Sequence, residues 1–371
     1  MILQTIDYVE GSVVMIDQTA LPMEERMIRL SRADGVAGAI RSMRVRGAPA
    51  IGIAAAFGML LELENLLRES DQGGTGFFFD RKTGMSGSRG VAIDPEEAAG
   101  KLNQAAELLA ATRPTAVNLF RAIERMKRVA RENPGDPARL CSETGAEAFR
   151  IHDEELERER RIGAFGAALL RSGMSVLTHC NAGGLATAGY GTALAVIYSA
   201  RGLGMDIRVY ADETRPLLQG GRLTAWELLK NGVDVTVLCD GAAASLISTG
   251  KIGAAIVGAD RIAANGDTAN KIGTLGVAVL CARYGVPFYV AAPLSTFDPD
   301  APSGESIPIE HRSEEELIYF SGIRTIPEGA GIYNPAFDVT PAELITAFIT
   351  EKGVIYPPYG GKTGRLSGAG S

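Results

Sequence analysis

Ser175-Val176-Leu177-Thr178-His179-Cys180-Asn181-Ala182-Gly183-Gly184 is the stretch on which the fold turns. Its first four residues form a short β-rich run, and the glycines after them mark a turn. The same rhythm recurs downstream, with β-rich runs at Ile207–Ala211, Val233–Leu238, Ala254–Val257 and Phe288–Ala291. Between them lie Leu185–Arg201, Arg222–Lys230, Ala242–Ser248 and Ile272–Tyr284, each of helical length. Strand–helix alternation predicts a parallel sheet covered by helices on both faces, a doubly wound, Rossmann-like α/β unit.

Upstream the pattern is mainly helical. Thr5–Ile16 reads as extended, and Arg26–Met43 has the apolar spacing of a helix. Ala50–Leu67 continues as an apolar helix, and helical spacing resumes at Pro95–Thr112, Pro114–Asn133 and Pro137–Ser172. Proline suits the first helical turn, where its missing N–H costs nothing. Glu69–Val91 is rich in Gly and Ser and holds Phe77-Phe78-Phe79. It reads as a long exposed loop whose aromatic run docks on a neighbouring surface. The expected organisation is a mainly helical domain with short initial strands at 1–160, then the Rossmann-like α/β domain at 161–371. The residues after Tyr359 read as a disordered tail. A chain of 371 residues suits two cores better than one.

Composition narrows the function. The formal charge of −7 argues against a general nucleic-acid or membrane-surface binder, which carries a basic excess. Cys141, Cys180, Cys239 and Cys281 are scattered without a CxxC pair, and His152, His179 and His311 lack metal-ligand spacing. No metal site or disulfide framework is expected, and a reducing cytoplasm fits best. The apolar stretch Ala48–Leu61 is too short to span a bilayer and reads as a buried helix.

In open parallel sheets, ligands bind at the carboxyl ends of the strands. Three expected strand ends carry reactive or charged side chains: Thr178-His179-Cys180, Ala211-Asp212-Glu213-Thr214-Arg215, and Gly258-Ala259-Asp260-Arg261. Cys180 reads in two ways. At a glycine-rich turn opening a helix, backbone N–H groups and the helix dipole favour a thiolate; alternatively it is an inert buried cysteine. His179 is a poor partner for Cys180, because adjacent strand residues point to opposite faces. Asp260 is a candidate general acid if a low-dielectric pocket surrounds it, or else a helix cap or an ion-pair partner of Arg261. Asp212 and Glu213 are similar candidates with an easy structural role in ordering the adjacent turn.

Three cations set in turns suggest phosphate recognition. Arg46-Gly47-Ala48-Pro49 has small residues that let a ligand approach the backbone, Arg113 precedes Pro114, and Asn270-Lys271-Ile272-Gly273-Thr274 reads as a helix start. Gly189-Tyr190-Gly191-Thr192 begins like a dinucleotide fingerprint but lacks the third glycine and falls inside the expected Leu185–Arg201 helix. No nicotinamide cofactor is expected, and Gly360-Gly361-Lys362-Thr363 lacks the spacing of a phosphate-binding loop.

Five segments, in order, carry a resemblance: Arg46–Gly52, Thr112–Asn118, Thr178–Gly183, Glu213–Gly220 and Gly258–Thr274. Together the chain resembles the family that joins the methylthioribose-1-phosphate isomerases of methionine salvage to the regulatory subunits of eukaryotic initiation factor 2B. The resemblance implies catalytic roles for Cys180 and Asp260, and substrate contacts from Arg46, Gly47, Ala48, Arg113, Gln219, Asn270 and Lys271. It implies a cofactor-free conversion of 5-methylthio-D-ribose 1-phosphate to 5-methylthio-D-ribulose 1-phosphate, a phosphorylated sugar as the partner molecule, and a homodimer. Isomerases of ribose 1,5-bisphosphate or 5-deoxyribose 1-phosphate match the same segments. A non-catalytic binding protein has no need to keep Cys180, Asp260, Gln219, Asn270 and Lys271 together, so catalysis is favoured.

Overall fold

The computed structural model describes residues 3–70, 78–86, 93–113 and 116–359. The expectations placed on Phe77, on Pro114 and on the tail after Tyr359 lie outside these residues. The chain divides into two compact units, one of residues 2–157 and 184–190, the other of residues 158–183 and 191–371.

The first unit opens with an antiparallel sheet of β1 (Ile6–Tyr8), β2 (Val13–Ile16) and β3 (Met27–Leu30). Its helices are α1 (Ala33–Arg41), α2 (Ala48–Ser70), α3 (Pro95–Ala110), α4 (Val117–Glu132) and the part of α5 (Pro137–Ala167) up to Glu157. Helix α2 is apolar on nearly every side and buried on nearly every side, as a helix at the centre of a bundle must be. It is long and apolar enough to cross a membrane, yet its most apolar window is 89% buried, which makes it a core helix. Helix α4 buries only the stripe Leu119, Ala122, Ile123, Met126 and Val129. Asp94 caps α3 by accepting the Glu96 N–H at 3.0 Å.

Part of the expected Glu69–Val91 loop is a β-hairpin, β4 (Phe78–Asp80) and β5 (Gly84–Ser86). The Asp80 Oδ1 accepts the Lys82 and Thr83 N–H groups and closes the turn. Phe79 stacks on Phe149 with ring centroids 5.7 Å apart, and its N–H donates to the buried Glu64 carboxylate at 2.6 Å. Arg81 adds an ion pair with Asp153 at 2.6 Å. Phe79 thus docks the hairpin on α2 and α5.

Residues 184–190 complete this first unit. The Leu3 N–H donates to the Gly189 carbonyl at 3.0 Å, the Gln18 amide to the Leu185 carbonyl at 2.7 Å, and Ala188 lies in the core. Gly47, with φ of 96°, lies so close to this segment that an added Cβ would sit 2.3 Å from the Ala186 carbonyl oxygen. The backbone of Ala186 makes a close approach at this glycine. Gly47→Ala therefore combines a left-handed backbone with a steric clash and is expected to cost about 2 kcal/mol or more. Thermal unfolding checks this, with a Tm several degrees below wild type.

The second unit holds the larger sheet. Its elements are β6 (Ser175–Thr178), α6 (Ala193–Gly202), β7 (Arg208–Asp212), α7 (Ala225–Lys230), β8 (Val235–Leu238), α8 (Ala243–Ser248), β9 (Ala254–Val257), β10 (Arg261–Ala263), β11 (Thr268–Lys271) and α9 (Thr274–Tyr284). After them come β12 (Phe288–Ala291), β13 (Phe297–Asp298), α10 (Glu315–Ile318), β14 (Tyr319–Phe320), β15 (Ile323–Arg324), β16 (Phe337–Thr340), β17 (Ala347–Thr350) and β18 (Gly353–Ile355). Strand order in the seven-stranded sheet is β18-β17-β12-β9-β6-β7-β8. All pairs are parallel except β17–β18. Counting from β6, this is the Rossmann order with an antiparallel edge strand added. Strands β9, β12 and β17 are buried throughout, as strands covered on both faces should be. A four-stranded sheet, β13-β10-β11-β16, stands beside the main one in chain order and was not expected.

Two expected helices begin later than their spacing suggests. Helix α6 starts at Ala193, because Gly189 and Gly191 take left-handed backbone angles that no helix accommodates. Gly189-Tyr190-Gly191 therefore precedes a helix and does not lie within one; it still fails as a dinucleotide turn, since β6 ends at Thr178. Asn270 and Lys271 end strand β11, and α9 starts only at Thr274.

Candidate active site

Connections from β6 run outward to β7 and β8, and the chain then returns to place β9 on the other side of β6. The carboxyl ends of β6 and β9 therefore flank the topological switch point, where the crevice of an open α/β sheet forms. Cys180 lies just beyond β6, and Asp260 just beyond β9. Sequence spacing alone does not reveal that the two preceding strands are adjacent; the strand order does.

Cys180 is half-buried and has φ of 64°, in the left-handed region that non-glycine residues avoid. Such backbone persists only where neighbours hold it. Its N–H donates to Thr214 Oγ1 at 2.9 Å, and its carbonyl accepts from Thr224 Oγ1 at 2.6 Å. Thr214 is in turn fixed by its own N–H, which donates to Asp240 Oδ1 at 2.7 Å. The next residue, Asn181, donates to Thr224 at 3.1 Å and to the buried Glu227 at 2.6 Å. The helix expected from Leu185, after the glycine-rich turn, begins only at Ala193, too far along the chain for its first turn to follow Cys180.

His179 lies just past the end of β6 and is bonded to groups other than the thiol. Its Nδ1 lies 2.9 Å from Asp212 Oδ2 and its Nε2 lies 2.8 Å from the Ile272 carbonyl oxygen. Asp212 stands at the end of β7. His179, Asp212 and Asp240 have ligand atoms within 4.8 Å of one another, a composition that could hold a metal ion. Yet both ring nitrogens are engaged, and both Asp240 oxygens accept N–H groups, from Thr214 at 2.7 Å and Arg215 at 2.8 Å. A cation there would first have to displace these bonds, so the cluster is better fitted to holding the turns than to binding metal.

Asp260 is exposed, and its N–H donates to the Ala269 carbonyl at 3.0 Å. It precedes strand β10 and not a helix, which removes helix capping as its role. Arg261 forms an ion pair with Asp298 at 3.4 Å. The burial expected to tune the Asp260 carboxyl is not supplied by the protein alone.

Asn270 is buried and donates to Thr274 Oγ1 at 2.9 Å. The Lys271 ammonium donates to the Ala336 carbonyl at 2.8 Å and sits 4.9 Å above the Phe337 ring. Gln219 is 4% exposed, and its Oε1 has no hydrogen-bond partner among the described residues. A buried acceptor left unsatisfied costs about 1–3 kcal/mol, so this oxygen would gain from a donor brought by a ligand. Gln219→Met is accordingly expected to leave Tm unchanged or raised while KM rises about tenfold, the worth of roughly one hydrogen bond. Steady-state kinetics beside a melting curve checks both.

Arg46, Gly47, Ala48 and Arg113 belong to the first unit, whereas Cys180, Gln219, Asp260, Asn270 and Lys271 belong to the second. Arg46 is 8% exposed and precedes the first turn of α2. Arg113 approaches the Met43 sulfur at 3.7 Å. Sequence reasoning missed Thr224, Glu227, Asp240 and Asp338. Thr224 and Glu227 fall on the turn and helix after Gln219, where a short polar residue next to an apolar stripe was the available signal. Asp338, whose carboxylate accepts the Gly273 and Leu275 N–H groups at 2.7 and 3.1 Å, gave none.

A Rossmann-ordered sheet with a strained cysteine and a carboxylate at its switch point defines an α/β protein whose crevice is equipped for chemistry. The chain belongs to the Initiation factor 2 subunit family, whose model matches residues 44–357. It is 52% identical over 358 residues to a methylthioribose-1-phosphate isomerase of Geotalea daltonii, with 96% of each chain covered. A methylthioribose-1-phosphate isomerase of Fervidobacterium nodosum is 51% identical, covering 96% of this chain and 95% of its own. Among solved structures, 5-methylthioribose 1-phosphate isomerase from Pyrococcus horikoshii is 42% identical with a TM-score of 0.86, covering 98% of this chain and 95% of its own. A protein described as translation initiation factor eIF-2B, subunit delta, from A. fulgidus is also 42% identical, with a TM-score of 0.82, covering 96% of this chain and 97% of its own.

Proposed function

We propose that this chain converts 5-methylthio-D-ribose 1-phosphate to 5-methylthio-D-ribulose 1-phosphate in methionine salvage. It is an enzyme, an aldose–ketose isomerase acting on a 1-phosphorylated sugar in the cytoplasm. One observation carries this reading beyond the likeness to named isomerases: Cys180 and Asp260 follow adjacent parallel strands that flank the switch point.

The chemistry needs two proton-handling groups. An ordinary aldose opens by losing the proton of its anomeric hydroxyl, but here that oxygen carries phosphate. Asp260 gives a proton to the ring oxygen, and the ring C1–O bond breaks to leave a C4 hydroxyl. Cys180, as thiolate, takes the C2 proton, and the electron pair forms a C1=C2 enol. The thiol then returns the proton to C1 while Asp260 accepts the proton of the C2 hydroxyl, leaving a ketone. Because Asp260 is exposed, the sugar itself must cover it and exclude water for the carboxyl to hold its proton. Gln219, Asn270 and Lys271 serve as substrate contacts, with the Lys271 ammonium a point charge for phosphate.

A homodimer is part of the same reading. Val237 on the edge strand β8 and Phe320 and Ile323 on the β14–β15 hairpin are exposed apolar side chains, which suit a contact between copies.

The test is incubation of purified protein with 5-methylthioribose 1-phosphate, following ketose formation, with ribose 1,5-bisphosphate and 5-deoxyribose 1-phosphate in parallel. Preference for the methylthio sugar supports the reading, and preference for another sugar keeps the mechanism while changing the pathway. Silence on all three overturns it in favour of a binding protein, a reading suggested by the eIF-2B description of the A. fulgidus relative. Sedimentation of the same sample should give twice the chain mass of 39.1 kDa.

A further inference from the structure

We propose that His179 is held as an imidazolium between Asp212 and the Ile272 carbonyl, where it acts as a positioning residue tying the Cys180 turn to the Asn270–Lys271 strand end. The bonding partners fix where the protons are. The Ile272 carbonyl can only accept, so Nε2 carries a hydrogen. Nδ1 faces a carboxylate oxygen at 2.9 Å, so one more proton lies between His179 and Asp212. The ring and the carboxylate are each 1% exposed, and water does not compete for that proton.

The surroundings decide which partner keeps it. Three carboxyl groups face the ring: Asp212 on β7, Asp240 after β8 and Asp338 on β16. The thiol of Cys281 on α9, which lies near Asp212, is pushed up to about 12 by burial and stays neutral. Without a cation, the three acids would set like charges against one another in a buried space; a proton on the imidazole gives all three a counter-charge. Burial alone would push the His179 imidazole down, but the hydrogen bond and charge of Asp212, with the Ile272 bond and the Asp240 charge, together hold it above its ordinary value, while burial raises the Asp212 carboxyl against the lowering effect of His179. The stability it contributes is therefore fully present below the ordinary histidine value and is lost as pH rises through the higher folded value.

The same ring links the pieces of the site. His179 is the residue before Cys180, whose left-handed backbone depends on neighbours for support. Ile272 is the residue after Lys271. The fit is tight enough to exclude a side chain beside it: a Cβ on Gly273 would lie 2.7 Å from His179 Cε1, and Gly273 has φ of 105°. Asp338 fixes the other side of this segment through the Gly273 and Leu275 N–H groups. Loss of the imidazolium leaves a neutral ring with a single N–H, so only one of the two bonds, to the Ile272 carbonyl or to the Asp212 carboxylate, keeps its donor, and the tie between the cysteine strand and the segment carrying Asn270 and Lys271 is weakened.

The direct test is nitrogen NMR of the full chain labelled at its histidines, His152, His179 and His311. The His179 ring is identified as the signal missing from His179→Gln, or by elimination with His152→Gln and His311→Gln should that variant fold poorly. At a pH of about 7.5, roughly one unit above the ordinary histidine value, both ring nitrogens of His179 should carry hydrogen. In Asp212→Asn only one should. A neutral ring in the wild type, or an unchanged ring in Asp212→Asn, overturns the proposal.

The kinetic arm rests on the isomerase reading. His179→Gln keeps a donor for Ile272 and should lose about tenfold in kcat/KM, mostly through KM. His179→Ala keeps neither bond and should lose about a hundredfold, two tenfold steps. Equal kinetics for His179→Ala and wild type would overturn the positioning role. A wild-type protein inactive on all three sugars would sink the isomerase reading alone, because the NMR result stands without turnover.

Discussion

Replacing Cys180 by serine is expected to lower turnover by about 10²–10⁴-fold, the usual worth of one acid–base group. Serine matches cysteine in shape and tolerates the same hydrogen bonds, so the Thr214 and Thr224 contacts at the 180 turn persist and Tm should not move. What changes is the base: a serine hydroxyl does not ionise near neutral pH, whereas a thiol is within reach of doing so. KM should change little, because the C2 proton is contacted only during the chemical step. Cys239→Ser is the natural control, since Cys239 is exposed and stands beyond the end of β8, away from the switch point. Deuterium from heavy water at C1 of the product, incorporated when the Cys180 thiol exchanges before returning its proton, would exclude a direct hydride shift. Product free of deuterium fits both a hydride shift and return of the same proton by a shielded thiol, whereas wild-type turnover in Cys180→Ser would remove Cys180 from the chemistry.

Asp260→Asn should be as damaging, again about 10²–10⁴-fold in kcat, but through a different step. The amide fills the same volume and leaves the backbone bond from residue 260 to Ala269 in place. It cannot deliver a proton to the ring oxygen, so bound sugar should accumulate in its closed form. Single-turnover analysis of sugar released from the quenched complex distinguishes this from Cys180→Ser, in which ring opening precedes the blocked step. Normal kcat in Asp260→Asn would remove the carboxyl from the reaction.

Much of this architecture was legible from the second half of the sequence. Ser175–Thr178, Ala254–Val257 and Phe288–Ala291 are strands with the bounds their apolar runs suggest, because parallel strands buried on both faces show as short continuous apolar stretches. Polar strands escaped. Asn270–Thr274 looks like a helix start, yet Thr268–Lys271 is a strand that pairs with β10 and β16 through backbone bonds that side-chain pattern does not reveal. Leu185–Arg201 has helical spacing, but Gly189 and Gly191 break it where tertiary packing, not propensity, decides the backbone. Cys180 and Asp260 stand out from strand-end position only as candidates beside an equally plausible structural role. Strand order, which sets the strands preceding them side by side, is a property of the folded sheet. The exposure of Asp260 and the engagement of Lys271 with Ala336 and Phe337 are equally tertiary facts.

Residues 184–190 also set a schedule for biosynthesis. The ribosome delivers an N-terminal segment first, and domains commonly fold as they emerge at about 5–20 residues per second. Here the first unit is short of a piece until Ala188 and Gly189 have left the exit tunnel, by which time β6 has already been made. Leu3, Thr5 and Gln18 wait for partners on Gly189, Gly184 and Leu185. A nascent chain stalled near residue 160 would thus expose a nearly finished but unsealed core, the kind of species that chaperones bind. Any fusion or split design that cuts there would inherit the same gap, whereas a cut beyond Gly191 would carry the whole first unit with it.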